Sequence, residues 1–282
     1  SYTRCIEITK DRARNFHFAF SVLSPERYRS ICALYAFARL ADDISDDQSD
    51  SQKALAESQA WQAAFDEALA GNTTAHPILP AVADTFQRYK IPPKYMRELI
   101  LGTEMDAHKK RYETWDETYL YCYRVASVIG IMTIHVFGFT APQAIPLAES
   151  AGIAFQMTNI LRDLKEDAER DRIYLPLKDL REFNVAEPDL LAAKDSLAIR
   201  RLVKAEVERT KPYYQQAREL MPLIEAESRN ALSSLVAIYQ RLLEEIERRD
   251  YDVLSRRISL SKAEKLRLVA GMAWKRMLRT SK

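Results

Sequence analysis

Glycine supplies only 6 of the 282 residues, well below the usual share of about 7%. Tight β-hairpins need residues that accept positive φ, so this chain has few places where one strand can turn into the next. An all-α fold is the expectation. Helical periodicity supports it in "SPERYRSICALYAFARLADDISDD" (24–47), where Ser24 and Pro25 suit an N-cap and first turn and Ile31, Leu34, Tyr35 and Ala38 form one stripe. Breaks are expected at "GNTTAHP" (71–77), "KIPPK" (90–94), "GFTAP" (138–142), "YLP" (174–176) and "FNVAEP" (183–188). None is long enough to link two domains. Pro212 and Pro222 are expected to start or kink helices in the C-terminal third. With no internal repeat and no low-complexity segment, residues 1–282 read as a single domain.

Charge and motifs exclude several functions. The 42 basic and 40 acidic residues leave a net charge of +2, so no polyanion-binding signature is present and nucleic acid is not an expected partner. Cys5, Cys32 and Cys122 are too far apart for metal-ligand spacing, and their odd number argues against a disulfide framework, as expected of a reducing cytoplasm. The four histidines are scattered, which argues against a His-based metal site. There is no GxGxxG, P-loop or GxSxG motif, which argues against a Rossmann unit and an α/β-hydrolase. No run of eighteen uncharged apolar residues occurs, and "SYTRCIEITKDRARN" has no hydrophobic signal region. A cytoplasmic, monomeric protein is expected, with weak peripheral contact at the inner face of a membrane allowed.

The chemistry is concentrated in two acidic stretches. "RLADDISDD" (39–47) carries Asp42, Asp43, Asp46 and Asp47. On a helix this pairs like charges at i,i+4, each pair costing about 0.2–0.5 kcal/mol, so something positive is expected to offset the crowding. At about 100° per residue, Tyr35, Arg39, Asp42, Asp43 and Asp46 share a stripe roughly 100° wide, with Asp47 at its edge. In "FQMTNILRDLKEDAERDRIYLP" (155–176), Gln156, Asn159, Asp163 and Asp167 share one about 80° wide. A solvated helix face, with Arg162 and Glu166 at ion-pair spacing, accounts for either stretch alone, but not for the repetition of the pattern. Two oxygen-rich stripes suit hard ions such as Mg²⁺, which take one or two carboxylates together with waters and substrate phosphates. Arg39, Arg162 and Arg172 lie nearby to meet phosphate oxygens.

At this point the sequence resembles a known family. "NFHFAF" (15–20), "YAFARLADDISDD" (35–47), "GTEMDAHKKRYETWDETYLYCYRVASVIG" (102–130), "QMTNILRDLKEDAERDRIYLP" (156–176) and "YDVLSRRISLSKAEKL" (251–266) resemble the squalene and phytoene synthases in order and spacing along nearly the whole chain. The long NxxRDxxED…RxYLP pattern carries most of the specificity. The resemblance implies a single-domain all-α isoprenoid synthase fold around a central cavity. It also implies Mg²⁺-dependent, head-to-head joining of two allylic prenyl diphosphates through a cyclopropyl intermediate. By the same resemblance, Asp42, Asp43, Asp46, Asn159, Asp163 and Asp167 hold metal, and Asp42, Asp46, Asp163, Asp167 and Tyr239 act at the reacting end. Arg39, Arg162, Arg172 and Arg257, with Asn15 and Gln156, face the diphosphates, while Phe16, Phe20, Tyr35, Tyr123, Phe155 and Tyr239 line the apolar space.

Two departures from the family pattern bear on the product. Asn15 stands where many members carry serine, and Ser127 where many carry the glycine of "VAG". Asn15 can still hydrogen-bond a phosphate oxygen. The "YRVASVIG…IHVFGF" version (123–139) is more similar to bacterial enzymes that make presqualene diphosphate than to plant-type phytoene synthases, which favours farnesyl diphosphate. Three functions remain open. They are a C15 synthase stopping at presqualene diphosphate or continuing to squalene with NADPH, a C20 phytoene synthase, and a non-catalytic helical assembly factor. The intact aspartate motifs argue against the last.

Overall fold

The computed structural model describes residues 1–12, 20, 22–46, 51–72, 76–261, 263–264 and 267–268, with the side chains of residues 45–46 and 51–52 excepted. Asn15, Phe16 and Asp47, and the side chain of Asp46, therefore lie outside the described residues.

Helix α2 (Pro25–Asp46) starts where Ser24 and Pro25 predict, with the Tyr28 amide donating to the Ser24 carbonyl over 2.9 Å. Its middle is buried on every side: Ile31, Leu34 and Ala38 of the predicted stripe are joined by Cys32, Ala33, Ala36, Phe37 and Ala41. A helix apolar all round belongs inside a core. Helix α1 (Tyr2–Arg12) lies along it, followed by α3 (Ser51–Leu69), α4 (Leu79–Arg88) and α5 (Lys94–His108). Phe37 is stacked on Trp61 at 4.6 Å between centroids and meets Phe65 edge-on at 5.3 Å, while Phe65 meets Phe86 at 5.1 Å. These rings fasten α3 and α4 to the α2 centre.

A long rod follows, made of α6 (Trp115–Cys122), a π-helical turn (Tyr123–Ser127) and α7 (Val128–Phe137). It is long and apolar enough to cross a membrane, yet half of its apolar window is buried in this fold, where it lies against α5 and α8 (Ala144–Arg162). The π-turn has a packing reason. A Cβ on Gly152 would fall 2.3 Å from the Ser127 Cα, and one on Gly102 would fall 2.8 Å from the Arg124 Cβ, so two glycines on facing helices leave room for the wider turn. Such turns recur at functional sites. Ser127, where a glycine was noted as usual, donates to the Glu149 carbonyl of α8 over 2.7 Å.

The rest of the chain is α9 (Leu164–Glu169), α10 (Leu177–Glu182), α11 (Glu187–Leu191), α12 (Leu197–Glu219), a 3₁₀ turn (Met221–Leu223) and α13 (Arg229–Arg248). Pro212 sits inside α12, which runs through it, and Pro222 falls in the 3₁₀ turn. On α13, Leu232, Leu235, Val236, Leu242, Leu243 and Ile246 are buried at helical spacing, a face expected of an amphipathic helix. All the predicted breaks separate elements, but "YLP" is more than a break. Strand β1 (Arg111–Tyr112) pairs in parallel with β2 (Ile173–Pro176), with Arg111 opposite Ile173 and Tyr112 opposite Pro176. The fold is otherwise all-α, around one continuous buried core.

Candidate active site

A cavity of about 250 Å³ opens where α2, α5, the α6 rod, α8, α9 and β2 converge. Arg39 and Asp42 reach it from α2, Thr103 and Asp106 from α5, Tyr121 and Val125 from the rod, and Gln156 from α8. Asp167 of α9, Arg170, Arg172 and Tyr174 complete the wall. Of the residues predicted from sequence, Arg39, Asp42, Gln156, Asp167 and Arg172 thus share one cavity, and the two acidic stretches meet across it.

Asp167 shows what that meeting does. Burial pushes its carboxyl up to about 7, with the Asp163 and Asp106 charges acting in the same direction and Arg172 and Arg170 opposing. Acids held this close in a partly dry site create a demand for positive charge. The Asn159 Oδ1 and Glu166 Oε2 atoms are buried without a hydrogen-bond partner among the described residues. No three His, Cys, Asp or Glu side chains form a ready-made metal cage among those residues. Carboxylate oxygens brought to one cavity from three elements, by Asp42, Asp106 and Asp167, fit a hard divalent ion completed by water and phosphate.

The remaining acids are held by arginines. Asp43 accepts from the Arg39 Nη2 at 2.7 Å and lies 3.6 Å from the Arg12 Nη1, so it pairs with an arginine of the cavity wall without lining the cavity itself. Arg39 keeps a buried Nε without a hydrogen-bond partner among the described residues. Asp163 departs from the regular helix implied by the stripe of Gln156, Asn159, Asp163 and Asp167: it separates α8 from α9 at φ −100° and ψ 15°. Arg162 therefore binds its neighbour Asp163, Nε to Oδ1 at 2.8 Å, rather than Glu166. Adjacent residues on a regular helix do not face each other. Glu166 pairs instead with Arg257, whose Nε is 3.2 Å away, and the Arg257 Nη2 also reaches Asp163 at 3.2 Å.

The predicted aromatics divide. Phe155 and Tyr239 stack at 4.5 Å between centroids and 18° between planes, with the Tyr239 hydroxyl pKa raised by burial. Tyr35 is half-buried, with the Arg39 and Asp42 charges acting on its hydroxyl, Tyr123 is half-buried against the core, and Phe20 is buried, edge-on to Phe137 at 6.0 Å. None of these five lines the polar cavity.

Sequence reading missed Asp106, Thr103, Tyr121, Val125, Arg170 and Tyr174. Tyr174 donates to the Asp106 Oδ1 over 2.7 Å and Tyr121 to its Oδ2 over 3.0 Å, while the Arg172 Nη2 donates to the Asp106 carbonyl over 3.1 Å. Asp106 has no acid three or four positions away on either side. The signal lay only in its segment, 102–130, which the resemblance already included.

A predominantly helical fold with a polar, acid- and arginine-walled cavity where its helices converge defines an isoprenoid synthase-like enzyme. The squalene/phytoene synthase family model matches residues 9–264. The chain is 35% identical over 273 residues to phytoene synthase from Arthrospira platensis, covering 91% of this chain and 87% of that one. It is 32% identical to chloroplastic phytoene synthase 2 from Solanum lycopersicum, covering 99% and 91%. Among solved structures, a dehydrosqualene synthase in complex with ligand superposes with a TM-score of 0.89 at 27% identity, covering 99% of this chain and 96% of that one. The squalene synthase HpnC from Alicyclobacillus acidocaldarius gives 0.84 at 25%, covering 89% and 94%. The chain belongs to the squalene/phytoene synthase family, whose members are prenyltransferases.

Proposed function

We propose that this enzyme joins two farnesyl diphosphates head to head and releases presqualene diphosphate, using Mg²⁺ held between Asp42 and Asp167. The observation that carries the reading is the convergence of those two acids with Arg39, Arg170 and Arg172 on one cavity. Bound Mg²⁺ would neutralise the leaving diphosphate and so favour ionisation of the allylic carbon. Asp42, Asp106, Asp167 and the Asn159 Oδ1 are the donors that would hold it. The arginines donate to the diphosphate oxygens and keep the head group in place. The stacked rings of Phe155 and Tyr239, outside the polar cavity, would offer a face to positive charge on a hydrocarbon that extends beyond it. The choice of C15 units follows the "YRVASVIG…IHVFGF" segment. It is also supported by the names of the two solved relatives, which denote squalene-type products.

Identity of 35% to a phytoene synthase favours a second reading, in which two geranylgeranyl units are joined. The deciding experiment incubates the pure enzyme with each diphosphate, with and without NADPH, in Mg²⁺ or EDTA. Presqualene diphosphate from farnesyl diphosphate and Mg²⁺ alone is the expected product. Efficient phytoene formation overturns the chain-length choice, squalene appearing only with NADPH overturns the stopping point, and turnover in EDTA overturns the metal. Long-tailed substrates also imply weak, reversible membrane contact. Flotation with anionic vesicles at low salt tests this, and no association overturns it.

A further inference from the structure

Arg170 and Arg172 line the cavity from the end of α9, on either side of Asp171. The turn that carries them is a Schellman cap: the Asp171 amide donates to the Ala168 carbonyl and the Arg172 amide to the Asp167 carbonyl, each over 2.9 Å. The same cap therefore fixes the acid Asp167 and both arginines. It needs one residue in the left-handed region, usually glycine, and here that residue is Asp171 at φ 57°. Its side chain and carbonyl are gripped from strand β1. The Arg111 Nη2 donates to the Asp171 Oδ1 and the Arg111 Nη1 to the Asp171 carbonyl, both over 2.6 Å, and the Lys110 Nζ meets the Oδ2 at 2.9 Å. The Arg111 guanidinium is itself braced, with Nε on the Glu187 Oε2 at 2.8 Å and Nη1 on the Lys110 carbonyl at 2.9 Å. Hydrogen bonds from Arg111, then Lys110, hold the Asp171 carboxyl down at about 2.

We propose that Arg111 is a positioning residue of the diphosphate site: without lining the cavity, it acts through Asp171 to fix the turn that presents Arg170 and Arg172 to the substrate. This inference rests on the reading of that cavity as a diphosphate site. Exposed ion pairs generally contribute little. The Arg111 contact differs in form, because one planar guanidinium holds a carboxylate, the carbonyl of the same residue and a second acid at once. Lysine, a single point charge, cannot reproduce that fork.

The test is calorimetric titration of inorganic diphosphate in MgCl₂, with thermal melting in parallel. Arg170→Met/Arg172→Met tests the site, and Arg111→Met and Arg111→Lys test the clamp in the wild-type and Arg170→Met/Arg172→Met backgrounds. Both Arg111 substitutions are expected to weaken diphosphate binding about five- to tenfold in the wild type. Without Arg170 and Arg172 to act through, they should add less than about twofold. Asp171→Asn, which tolerates the left-handed turn, is expected to give a smaller loss at an unchanged melting temperature, and reads the same clamp should Arg111→Met not fold. Undiminished affinity in the Arg111 and Asp171 variants, or an equal Arg111 loss in both backgrounds, overturns the positioning role. If the wild type does not bind diphosphate, or the Arg170→Met/Arg172→Met protein binds it undiminished, the site reading itself fails.

Discussion

The Tyr174 hydroxyl donates to the Asp106 carboxylate over 2.7 Å, tying the strand after the second acidic motif to the end of a helix that belongs to neither motif. Burial, then the Asp106 charge, raises the pKa of the Tyr174 hydroxyl, so it stays a donor at any physiological pH. This places a third carboxylate beside Asp42 and Asp167. Asp106→Asn is expected to lower turnover on the order of 10–100-fold. Tyr174→Phe removes one donor and is expected to cost about 1–2 kcal/mol of stability. Steady-state rates and urea titrations measure both, and a wild-type rate for Asp106→Asn would show the third acid to be idle.

The Asp42 carboxylate lines the cavity on the α2 side, at a helix end where like charges are crowded. Asp42→Asn is expected to abolish turnover while the fold survives, and Asp163→Asn, whose charge acts on Asp167, to lower it. Asp163→Asn should also loosen Arg162 and Arg257, which both bind that carboxylate. Circular dichroism alongside activity in Mg²⁺ checks this. An active Asp42→Asn enzyme would sink the shared-metal reading.

A methyl group at position 152 has no room, because its nearest neighbours are the backbone Cα and N of Ser127 at 2.3 and 2.6 Å. Gly152→Ala is expected to destabilise by about 1–3 kcal/mol. It should also lower activity, since the displaced π-turn carries Val125 and follows Tyr121, both of the cavity wall. A urea midpoint equal to that of the wild type would mean the helices separate without cost.

Glu206 and Asp179 are both buried, and one guanidinium serves them: the Arg209 Nη1 meets the Glu206 oxygens at 2.7 and 2.8 Å and the Asp179 Oδ2 at 2.5 Å. Burial pushes the Glu206 carboxyl up to about 8, against the Arg209 charge. A carboxyl whose folded pKa exceeds its unfolded value favours folding in its protonated form. Its contribution is complete below the unfolded value near 4.5 and is lost as pH rises through about 8. Wild-type stability is therefore expected to fall between pH 6 and 9 more steeply than that of Glu206→Gln. Melting temperatures across that range decide, and parallel slopes would rule out Glu206 as the source.

The sequence alone determined what one helical turn can encode. Few glycines meant helices, Ser24 and Pro25 placed the start of α2, and the i,i+4 spacing of Asp42 with Asp46 and of Asn159, Asp163 and Asp167 marked the two acidic faces. These patterns are readable because side chains three or four residues apart meet on any helix. Only the tertiary structure decided which donors share the cavity. Packing six elements together brought Asp106 and Tyr121 beside Asp167 and Tyr174, with Asp106 and Tyr174 hydrogen-bonded across 68 positions. It also brought Arg12 to Asp43 and Arg257 to Asp163, and turned Asp163 toward Arg162 through a helix break that no periodicity announces. Local spacing fixes which face a residue occupies, whereas what that face meets depends on how the whole core closes.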